Sequence, residues 1–521
     1  MSLATIQRPA EVPLPSVRVR APRRWLFWLA AAVLLAQMAI AMITTAVRQT
    51  PTIDEPVYVG ASVVQLQQHS LRYNPEHPPL GKLIMATGLA FADARLDPGF
   101  QGDQTELGRH VLYESGNDPA KLLLLARLPM IVLTLLFGVV VFLFATDITN
   151  RTGGLVALAL YAFSPDLIAH GSLATLDVPA AGFVLTSVWL VWRARAHPAL
   201  YLPLAALALG AALATKMNTL AAIPVVLFLV FWHARAKAAL AVLLIALAVV
   251  WVSYLAVDPL LRWESPPDLP SAPVGWLPFP EPYLDGMRIQ AGFENRVWGG
   301  YLFGTHYEGS HWYYLPAALL VKTPLGALLL WAAGAVALVK RPAAAYVLAP
   351  AAVLLAVAMT GSRDLGVRYA IFVPMFLAVA AAVVAHRRWA TLAVALVAVS
   401  SLWTFPYYLP YSNEVFGGPS KTHLHLHDSN VDWGQDLGRL AERLKRYPSE
   451  RTWLVYKGAG VPEYYGIRAE DPRKAPEDQV HGLLVVSNTA IAKADDLLRA
   501  LIDTSTPIDV VGHSITIFRR P

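Results

Sequence analysis

Long uncharged apolar stretches alternate with polar segments along most of this chain. Because crossing a hydrocarbon core of about 30 Å takes about 20 residues of α-helix, such stretches predict transmembrane helices. Eleven stretches reach or approach this length, and the third and fourth are the shortest. We place them at residues 25–47, 128–146, 152–165, 178–192, 198–215, 217–233, 238–257, 315–339, 342–362, 369–385 and 389–410.

The distribution of Lys and Arg predicts how these spans are oriented. Basic residues are enriched in the cytoplasmic loops of membrane proteins. With the tail 1–24 in the cytoplasm, most basic residues of the short turns fall on that side, and an odd number of spans places the C-terminus outside. The cytoplasmic set is Arg18, Arg20, Arg23, Arg24, Arg151, Arg193, Arg195, Arg235, Lys237, Lys340, Arg341, Arg387 and Arg388.

Three basic residues, Lys216, Arg363 and Arg368, fall on short outer turns instead. Each of them could extend toward lipid headgroups at the membrane surface. Because all three face the compartment that also holds the large loops, we favour a shared site for an anion.

The long polar segments lie on the same outer side: the loops 48–120 and 258–314, and the tail 411–521. Long ordered loops gathered on one side usually carry function. The pattern of the tail predicts a small α/β domain. Its predicted strands are 423–427, 452–456, 482–487 and 514–518, and its predicted helices are 432–447 and 490–502.

Composition supports an integral membrane protein. Hydrophobic residues make up 56% of the chain and charged residues 15%, against roughly 25% charged in soluble domains. This balance excludes a disordered chain and argues against a cytosolic globular enzyme. The absence of cysteine excludes disulfides, thiolate metal sites and cysteine nucleophiles. The net charge of +6 is assigned to the cytoplasmic loops, and no nucleic-acid partner is predicted.

Two polar clusters in the first outer loop carry candidate chemistry. Asp54 and Glu55 directly follow the first span. Alone, they could be solvated carboxylates, one of them capping a helix that begins at Pro56. The second cluster is more specific, because three prolines fix the backbone around Glu76 and His77.

These motifs resemble those of the GT-C glycosyltransferases. The resemblance is narrowest to the group of protein O-mannosyltransferases and aminoarabinose–lipid A transferases (glycosyltransferase family 39 and its relatives). It covers roughly residues 20–410, by the order of motifs more than by identity, and the segment 428–436 resembles one found in uncharacterised bacterial members. Further matching segments follow in order at 126–129, 164–171, 175–179, 214–216, 311–314, 322–325 and 368–374.

The resemblance implies an all-α polytopic membrane protein of GT-C type with about eleven transmembrane helices. Its catalytic domain would be 25–410, followed by a small periplasmic α/β domain at 411–521. It implies location in the bacterial cytoplasmic (inner) membrane, with the active site facing the periplasm. The implied reaction moves a hexosyl or pentosyl group from a polyprenyl-phosphate donor to a hydroxyl of a protein, lipid or glycan.

Site residues follow from the same resemblance. Asp54 matches the base, with Glu55 beside it as a second catalytic carboxylate. A lipid-phosphate leaving group needs cations that stabilise its charge. Two alternatives remain open: Lys322 could extend to the outer surface, and Arg127 could form a structural bridge with Asp177. The implied set for the donor and its phosphate is Glu76, His77, Arg127, Lys216, Lys322, Arg363 and Arg368.

The resemblance leaves a divalent metal open, and no other cofactor is implied. The lipid A branch uses the Glu at the position of Glu76 and a second-loop histidine, here His306 or His311, whereas the protein-mannosylating branch works without metal. His77 replaces the lysine expected in the lipid A branch, and we favour a hydrogen-bonded structural role for it. Asp432 is a further candidate, either functional or the N-cap of a helix.

Two other functions remain as alternatives. A transporter or flippase of lipid-linked sugars would place ionisable residues near the membrane midplane, often with internal repeats. Here the carboxylates cluster at the outer face and no repeat is evident. A scaffold acting through its tail is the other alternative. We therefore predict a glycosyltransferase.

Overall fold

The structure, a computed structural model, describes residues 24–521 and is mostly α-helical. The predicted cytoplasmic tail, with Arg18, Arg20 and Arg23, lies outside the described residues. The helices before the second large loop are α1 (Arg24–Arg48), α2 (Glu55–Gln68), α3 (Leu80–Leu89), α4 (Gln104–Arg109), α5 (Pro119–Ile148), α6 (Arg151–Ala162), α7 (Pro165–Gly171), α8 (Asp177–Ala194), α9 (Pro198–Leu213) and α10 (Ala222–Leu255).

The second large loop and the tail add shorter elements. Two strands form a hairpin in that loop, and four form a sheet in the tail. In chain order they are α11 (Glu281–Glu294), β1 (Gly299–Leu302), β2 (Thr305–Glu308), α12 (Tyr314–Lys322), α13 (Leu325–Leu338), α14 (Ala344–Ala358), α15 (Phe372–Ala381), α16 (Arg388–Thr404), α17 (Leu437–Leu444), β3 (Thr452–Val455), β4 (Gly482–Ser487), α18 (Asn488–Ala492), α19 (Asp496–Asp503), β5 (Thr506–Val511) and β6 (Ile515–Arg520).

Each predicted span overlaps helical structure, but the helices differ in length. Within residues 24–521, three are long and apolar enough to cross a membrane, namely Trp25–Arg48, Pro119–Ile148 and Met217–Val257, and the bent pair α6 and α7 would make a fourth. The other apolar helices are shorter, so length alone does not establish eleven spans. They are Leu80–Leu89, Pro198–Leu213, Leu325–Leu338, Ala344–Ala358, Phe372–Val384 and Arg388–Thr404.

Local breaks explain why some predicted spans appear shortened or merged. The backbone of α10 leaves the helical region at Arg235 (φ 69°, ψ 177°), so this helix consists of two segments joined at a kink. These segments correspond to the predicted spans 217–233 and 238–257. Pro324 similarly separates α12 from α13, because proline cannot donate the backbone hydrogen bond of a helix interior.

Small residues allow the apolar helices to pack closely. A Cβ placed on Gly334 of α13 would lie 2.5 Å from the carbonyl oxygen of Ala380 in α15, and one on Gly326 would lie 2.3 Å from that of Ala393 in α16. Glycine at these positions therefore permits helix contacts that a larger side chain would prevent.

The segment 48–120, predicted as the first outer loop, is a compact group of helices. It lies beside the apolar helices α1, α5–α10 and α12–α16, which together are called the membrane body. Gly108 of α4 packs on α2, because a Cβ there would lie 2.4 Å from the backbone of Pro56. Asp103 and Glu106 form a capping box that fixes the start of α4. This packing holds the beginning of α2, and with it Asp54, in a defined place.

The tail contains a four-stranded sheet in the order β3-β4-β6-β5, in which only β3 and β4 are parallel. The predicted strands at 452–456, 482–487 and 514–518 are confirmed within a few residues. The predicted helix 490–502 is divided into α18 and α19, because Asp495 caps a new helix start. Strand β5 was not predicted, since Pro507 and Asp509 interrupt its apolar pattern.

The predicted strand 423–427 is wrong. Residues Thr422–Leu424 form a short 3-10 turn, and His425 lies between the rings of Phe303 and Phe416. The alternation of His and Leu therefore reflects packing against the second loop. The predicted helix 432–447 is also shorter, since α17 begins after Asp436.

The segment between α16 and α17 joins the sheet to the membrane body. Leu426, Val431 and Trp433 belong to the main hydrophobic core. The side chain of Asn430 accepts a hydrogen bond from the backbone N–H of Val367 (2.9 Å) and donates one to the hydroxyl of Tyr314 (2.9 Å). The conspicuous tail motif is thus buried against the helices.

Candidate active site

A cavity of about 740 Å³ lies where the outer loops, several apolar helices and the tail meet. One part of its wall is apolar and comes from α8, α14 and α15, including Ala180, Val184, Leu354, Val357 and Phe372. The remainder is polar. It includes eight of the predicted site residues, namely Asp54, Glu76, His77, Asp177, Lys216, His311, Arg363 and Arg368.

Asp54 and Arg368 form an ion pair at the centre of the polar wall. Arg368 Nη1 donates to Asp54 Oδ2 at 2.6 Å. Asp54 is the N-cap residue of α2 but makes no side-chain cap hydrogen bond, so its carboxylate is directed to Arg368 instead. The Arg368 guanidinium carbon lies 4.3 Å from the centroid of a Trp433 ring. This stacking holds Arg368 in place beside the carboxylate.

A second ion pair continues from the first. Lys216 Nζ donates to Asp177 Oδ1 at 2.6 Å, and Asp177 Oδ2 lies 3.9 Å from Arg368 Nη1. Within residues 24–521, Arg368 Nε–H is buried and donates to no acceptor. A buried donor without an acceptor is costly. An anion that enters the cavity can therefore gain a hydrogen bond that the protein leaves unmade.

The proline-rich turn is held from behind by a buried lysine. Lys82 Nζ donates to the carbonyl oxygens of Asn74 and His77, both at 2.7 Å, and to Asn74 Oδ1 at 3.1 Å. Glu76 Oε1 accepts a hydrogen bond from Gln104 Nε2 at 2.7 Å. Lys82 therefore acts on the shape of the turn, which presents Glu76 and His77 to the cavity.

His77 is an uncharged member of this site. Burial, reinforced by the charge of nearby Lys216, holds the pKa of His77 well below its usual range. Its Nδ1 is buried and makes no hydrogen bond with the described part of the chain. A neutral imidazole can exchange a hydrogen bond with a ligand but contributes no charge to phosphate binding.

Arg363, from the turn after α14, and His311, from the second large loop, add to the wall. Arg363 Nη2 donates to Glu294 Oε1 (2.8 Å) and Gln290 Oε1 (3.0 Å), both on α11. The backbone N–H of His311 donates to Asp364 Oδ2 at 2.7 Å. Glu294, Gln290 and Asp364 were not predicted, because a carboxylate or amide in a loop has no sequence signal until its cationic partner is known.

The residues present do not assemble the proposed metal site. His306 lies exposed on β2 and does not line the cavity that contains Glu76. Across residues 24–521, no group of three or more His, Asp or Glu side chains is arranged to hold a metal ion. The pairing of Glu76 with His306 is therefore corrected, whereas His311, the other histidine considered, lines the same cavity as Glu76.

Glu55 and Arg127 form a buried structural pair away from the cavity. Arg127 Nε and Nη2 donate to the two carboxylate oxygens of Glu55 at 2.7 and 2.6 Å, and both side chains are 0% exposed. The backbone N–H groups of Thr52 and Ala174 also donate to Glu55. Burial favours the protonated form, but Arg127 and these donors lower the pKa of Glu55 overall.

This pair corrects three predictions. Neither the catalytic role of Glu55 nor the phosphate contact of Arg127 fits side chains that are enclosed and fully hydrogen-bonded. The predicted bridge between Arg127 and Asp177 is also wrong, since Asp177 pairs with Lys216. The sequence identifies these acidic and basic residues, but it does not show which of them form ion pairs with each other.

Lys322 is likewise structural. Its Nζ donates to the carbonyl oxygens of Leu409 (2.5 Å) and Asn430 (2.9 Å), and lies 3.2 Å from Asp166 Oδ1. The side chain is 0% exposed. It neither reaches the membrane surface nor contacts the cavity, and both predicted roles are corrected. Lys322 instead connects α12 to the tail through its hydrogen bond to Asn430.

Asp432 lies behind the cavity wall, between the tail motif and the sheet. Its carboxylate accepts hydrogen bonds from the backbone N–H groups of Gly434 (3.2 Å) and Thr489 (3.1 Å). Burial raises the pKa of Asp432 to about 7. The predicted N-cap role is wrong, since Asp436 precedes the first residue of α17.

The sequence model of the family described as dolichyl-phosphate-mannose-protein mannosyltransferase (PMT) matches residues 31–258. These residues contain Asp54, Glu76, Asp177 and Lys216. They are fewer than half of the chain, and over them the chain is similar to this GT-C family. The resemblance proposed from the sequence is thereby confirmed.

Three solved structures are similar to this chain at low identity. ArnT from Cupriavidus metallidurans in the apo state is 15% identical, with a TM-score of 0.49 covering 95% of this chain and 98% of that one. The apo oligosaccharyltransferase of Archaeoglobus fulgidus is 10% identical, with a TM-score of 0.48 covering 93% and 73%. The S. cerevisiae Pmt1-Pmt2 complex bound to the sugar donor is 16% identical, with a TM-score of 0.32 covering 45% and 33%. No curated protein sequence matches significantly.

Proposed function

We propose that this protein is a GT-C glycosyltransferase that transfers a sugar from a polyprenyl-phosphate donor to a hydroxyl acceptor at the outer face of the bacterial cytoplasmic membrane. The observation that carries the proposal is the contact between Asp54 and Arg368 in a cavity that is polar at one side and apolar at the other. A lipid phosphate has the same division between charged head and apolar chain.

The cations of the cavity suit the departure of a phosphate. Arg368, Lys216 and Arg363 line the polar wall, and each can donate hydrogen bonds to phosphate oxygens. As the bond between the sugar C1 and the phosphate oxygen breaks, negative charge builds on the phosphate. Preplaced cations stabilise that charge without reorganisation of water.

Asp54 suits the role of the base. Its side chain is partly exposed, and within the described chain only Oδ2 is hydrogen-bonded. As the acceptor oxygen bonds to the sugar C1, Oδ1 takes the hydroxyl proton and the lipid phosphate leaves from the opposite face. This single displacement inverts the configuration at C1.

The apolar part of the wall supplies a place for the prenyl chain. Ala180, Val184, Leu354 and Val357 come from helices that also form the membrane body. Each buried methylene of a prenyl chain contributes about 0.8 kcal/mol, so a few isoprene units in this groove provide substantial affinity without specific polar contacts.

The first prediction concerns Asp54. A D54N variant keeps a hydrogen-bonding side chain but is not a base, so we expect transfer to fall by at least about a hundredfold while expression and membrane insertion are unchanged. The measurement is mass spectrometry of glycolipids and envelope proteins from a deletion strain that carries each variant. It would identify sugar and acceptor together.

A matched control distinguishes the loss of the proposed base from a general effect of removing one negative charge from this loop. Asp93 is exposed in the same outer loop, and D93N makes the same change away from the cavity. We expect D93N cells to retain the modification found with wild type. Undiminished modification in D54N cells would eliminate Asp54 as the base.

A further inference from the structure

One cation of the cavity differs from the others. Lys216, Arg363 and Arg368 are each paired with a carboxylate, namely Asp177, Glu294 and Asp54 in that order. Lys457 also lines the cavity, but within residues 24–521 no carboxylate oxygen lies within 4.0 Å of its Nζ. Its positive charge is therefore available to an anion that enters from outside.

The sheet of the tail places Lys457 at the cavity. Lys457 follows β3, and its backbone N–H donates to Ser487 Oγ, at the end of β4, at 3.1 Å. Because β3 and β4 are parallel, their carboxyl ends lie side by side, and in open α/β sheets this edge is the usual place for ligands. Lys457 therefore lies at the edge of the sheet where binding residues are usually found.

A second lysine, Lys493, is close enough for its charge to interact with that of Lys457. Lys493 ends the short helix α18, which follows β4. Burial, and to a smaller extent the charge of Lys457, lower the pKa of Lys493, whereas Asp428 acts in the opposite direction. Within the described residues Lys493 also forms no ion pair with a carboxylate. The like charges of the two lysines repel each other, but Asp428, which also lines the cavity, has the larger and opposite effect on Lys493.

The Lys457 turn is fixed relative to the proposed catalytic residues. Gly434 has a φ of 90°, and a Cβ placed on it would lie 2.7 Å from Gly458 Cα. The hydroxyl of Tyr456 donates to the Gly434 carbonyl oxygen at 2.7 Å. Since Trp433 stacks on Arg368, a chain of close contacts connects the Lys457 turn to the Asp54–Arg368 pair.

We propose that Lys457 binds an anionic group of the acceptor, so that the tail forms part of the acceptor site. This inference rests on the proposed function. The donor phosphate has Arg368, Lys216 and Arg363 beside the apolar groove, whereas Lys457 belongs to the tail and lies on a different element. The acceptor class that fits is a molecule with a phosphate or carboxylate close to its reacting hydroxyl.

An anion-directed label tests the site without any sugar transfer. Purified full-length protein is treated with pyridoxal 5′-phosphate or with uncharged pyridoxal, reduced with borohydride, and digested for mass spectrometry. At Lys457 we expect the phosphorylated reagent to label at least about ten times more than pyridoxal, and inorganic phosphate to suppress that labelling. At Lys474, which is exposed on the same part of the chain, the two reagents should label within about twofold. Equal preference at both lysines would overturn the proposal.

Undecaprenyl phosphate distinguishes the two sources of the anion. As a competitor it should leave labelling of Lys457 by pyridoxal 5′-phosphate within about twofold of its value without competitor, because the lipid phosphate occupies the other cations. Suppression equal to that by inorganic phosphate would assign Lys457 to the donor and contradict the acceptor site.

Variants connect the site to transfer. K457A should retain the rise in Tm caused by undecaprenyl phosphate. Its cellular modification, measured as for the Asp54 variants, should fall at least about tenfold. K457R should recover part of this loss, and K474A should show no loss. Normal modification in K457A cells would refute a role in acceptor binding. If neither wild type nor any variant produces a modification, the proposed function fails, whereas the labelling result still decides whether Lys457 binds anions.

Discussion

At the scale of single residues, the structure separates charges that bind each other permanently from charges that meet in the cavity. Glu55 and Arg127 are enclosed, and their side chains are hydrogen-bonded to each other and to surrounding groups of the protein. Asp54 directly precedes Glu55 in the sequence, yet its side chain lines the cavity. Asp54 is the N-cap residue of α2, whereas Glu55 is the first residue of that helix. Two carboxylates that are adjacent in the sequence, at the start of one helix, therefore have different surroundings.

A stability measurement distinguishes the two carboxylates. Removal of one partner of a buried ion pair leaves the other charged and unpaired, which costs about 3–5 kcal/mol. We therefore expect E55Q to lower the thermal unfolding midpoint of the purified protein clearly, and E442Q, which breaks an exposed pair with Lys445, to change it little. An E55Q protein as stable as wild type but inactive would instead support a catalytic Glu55.

At the scale of elements, the tail motif connects the sheet to the helices through buried polar contacts. Asp432 bonds the turn at Gly434 and the start of α18 at Thr489. Asn430 bonds the membrane body at Val367 and Tyr314. The short segment between them fixes how the sheet, and with it Lys457, approaches the cavity.

The pH dependence of this connection has a definite sign. The pKa of Asp432 is raised to about 7 by burial, whereas an unfolded aspartate titrates near about 3.9. Between these values the folded protein binds more protons than the unfolded one, so stability falls as pH rises. The Tm of wild type minus that of D432N should therefore decrease between pH 5 and pH 8. The same difference taken with D503N, an exposed carboxyl on α19, should stay constant. A constant difference for D432N would contradict the proposed titration.

At the scale of the whole molecule, what the sequence could predict follows from the range of each interaction. The apolar spans, the outer loops and three strands of the tail depend on local pattern, and each overlaps an observed element. Lys216, Arg363 and Arg368 were recognisable because they fall on the predicted outer side, where the sequence has few basic residues in short turns. Arg127 and Lys322 were misassigned, because burial and partners depend on contacts across the whole fold.

The pairing at the centre of the site could not have been derived from spacing. Asp54 and Arg368 are separated by 314 positions, and the family resemblance alone indicated that they belong together. Trp433 and Lys457 come from still more distant segments, and no local feature distinguishes them. The alternating His and Leu residues at 423–427 show the opposite error, in which a local pattern was overridden by packing.

The most direct test of the central claim is to locate a polyprenyl phosphate on the protein. Purified full-length chain is photolysed with a benzophenone-bearing polyprenyl phosphate, and the crosslinked peptides are mapped by mass spectrometry. We predict crosslinks on α8, α14 and α15 around Ala180, Val184, Leu354 and Val357, suppressed by undecaprenyl phosphate and reduced at least about tenfold in R368M. Crosslinks spread over exposed membrane surfaces such as Leu396 and Trp403 of α16, unaffected by competitor or by R368M, would contradict the account.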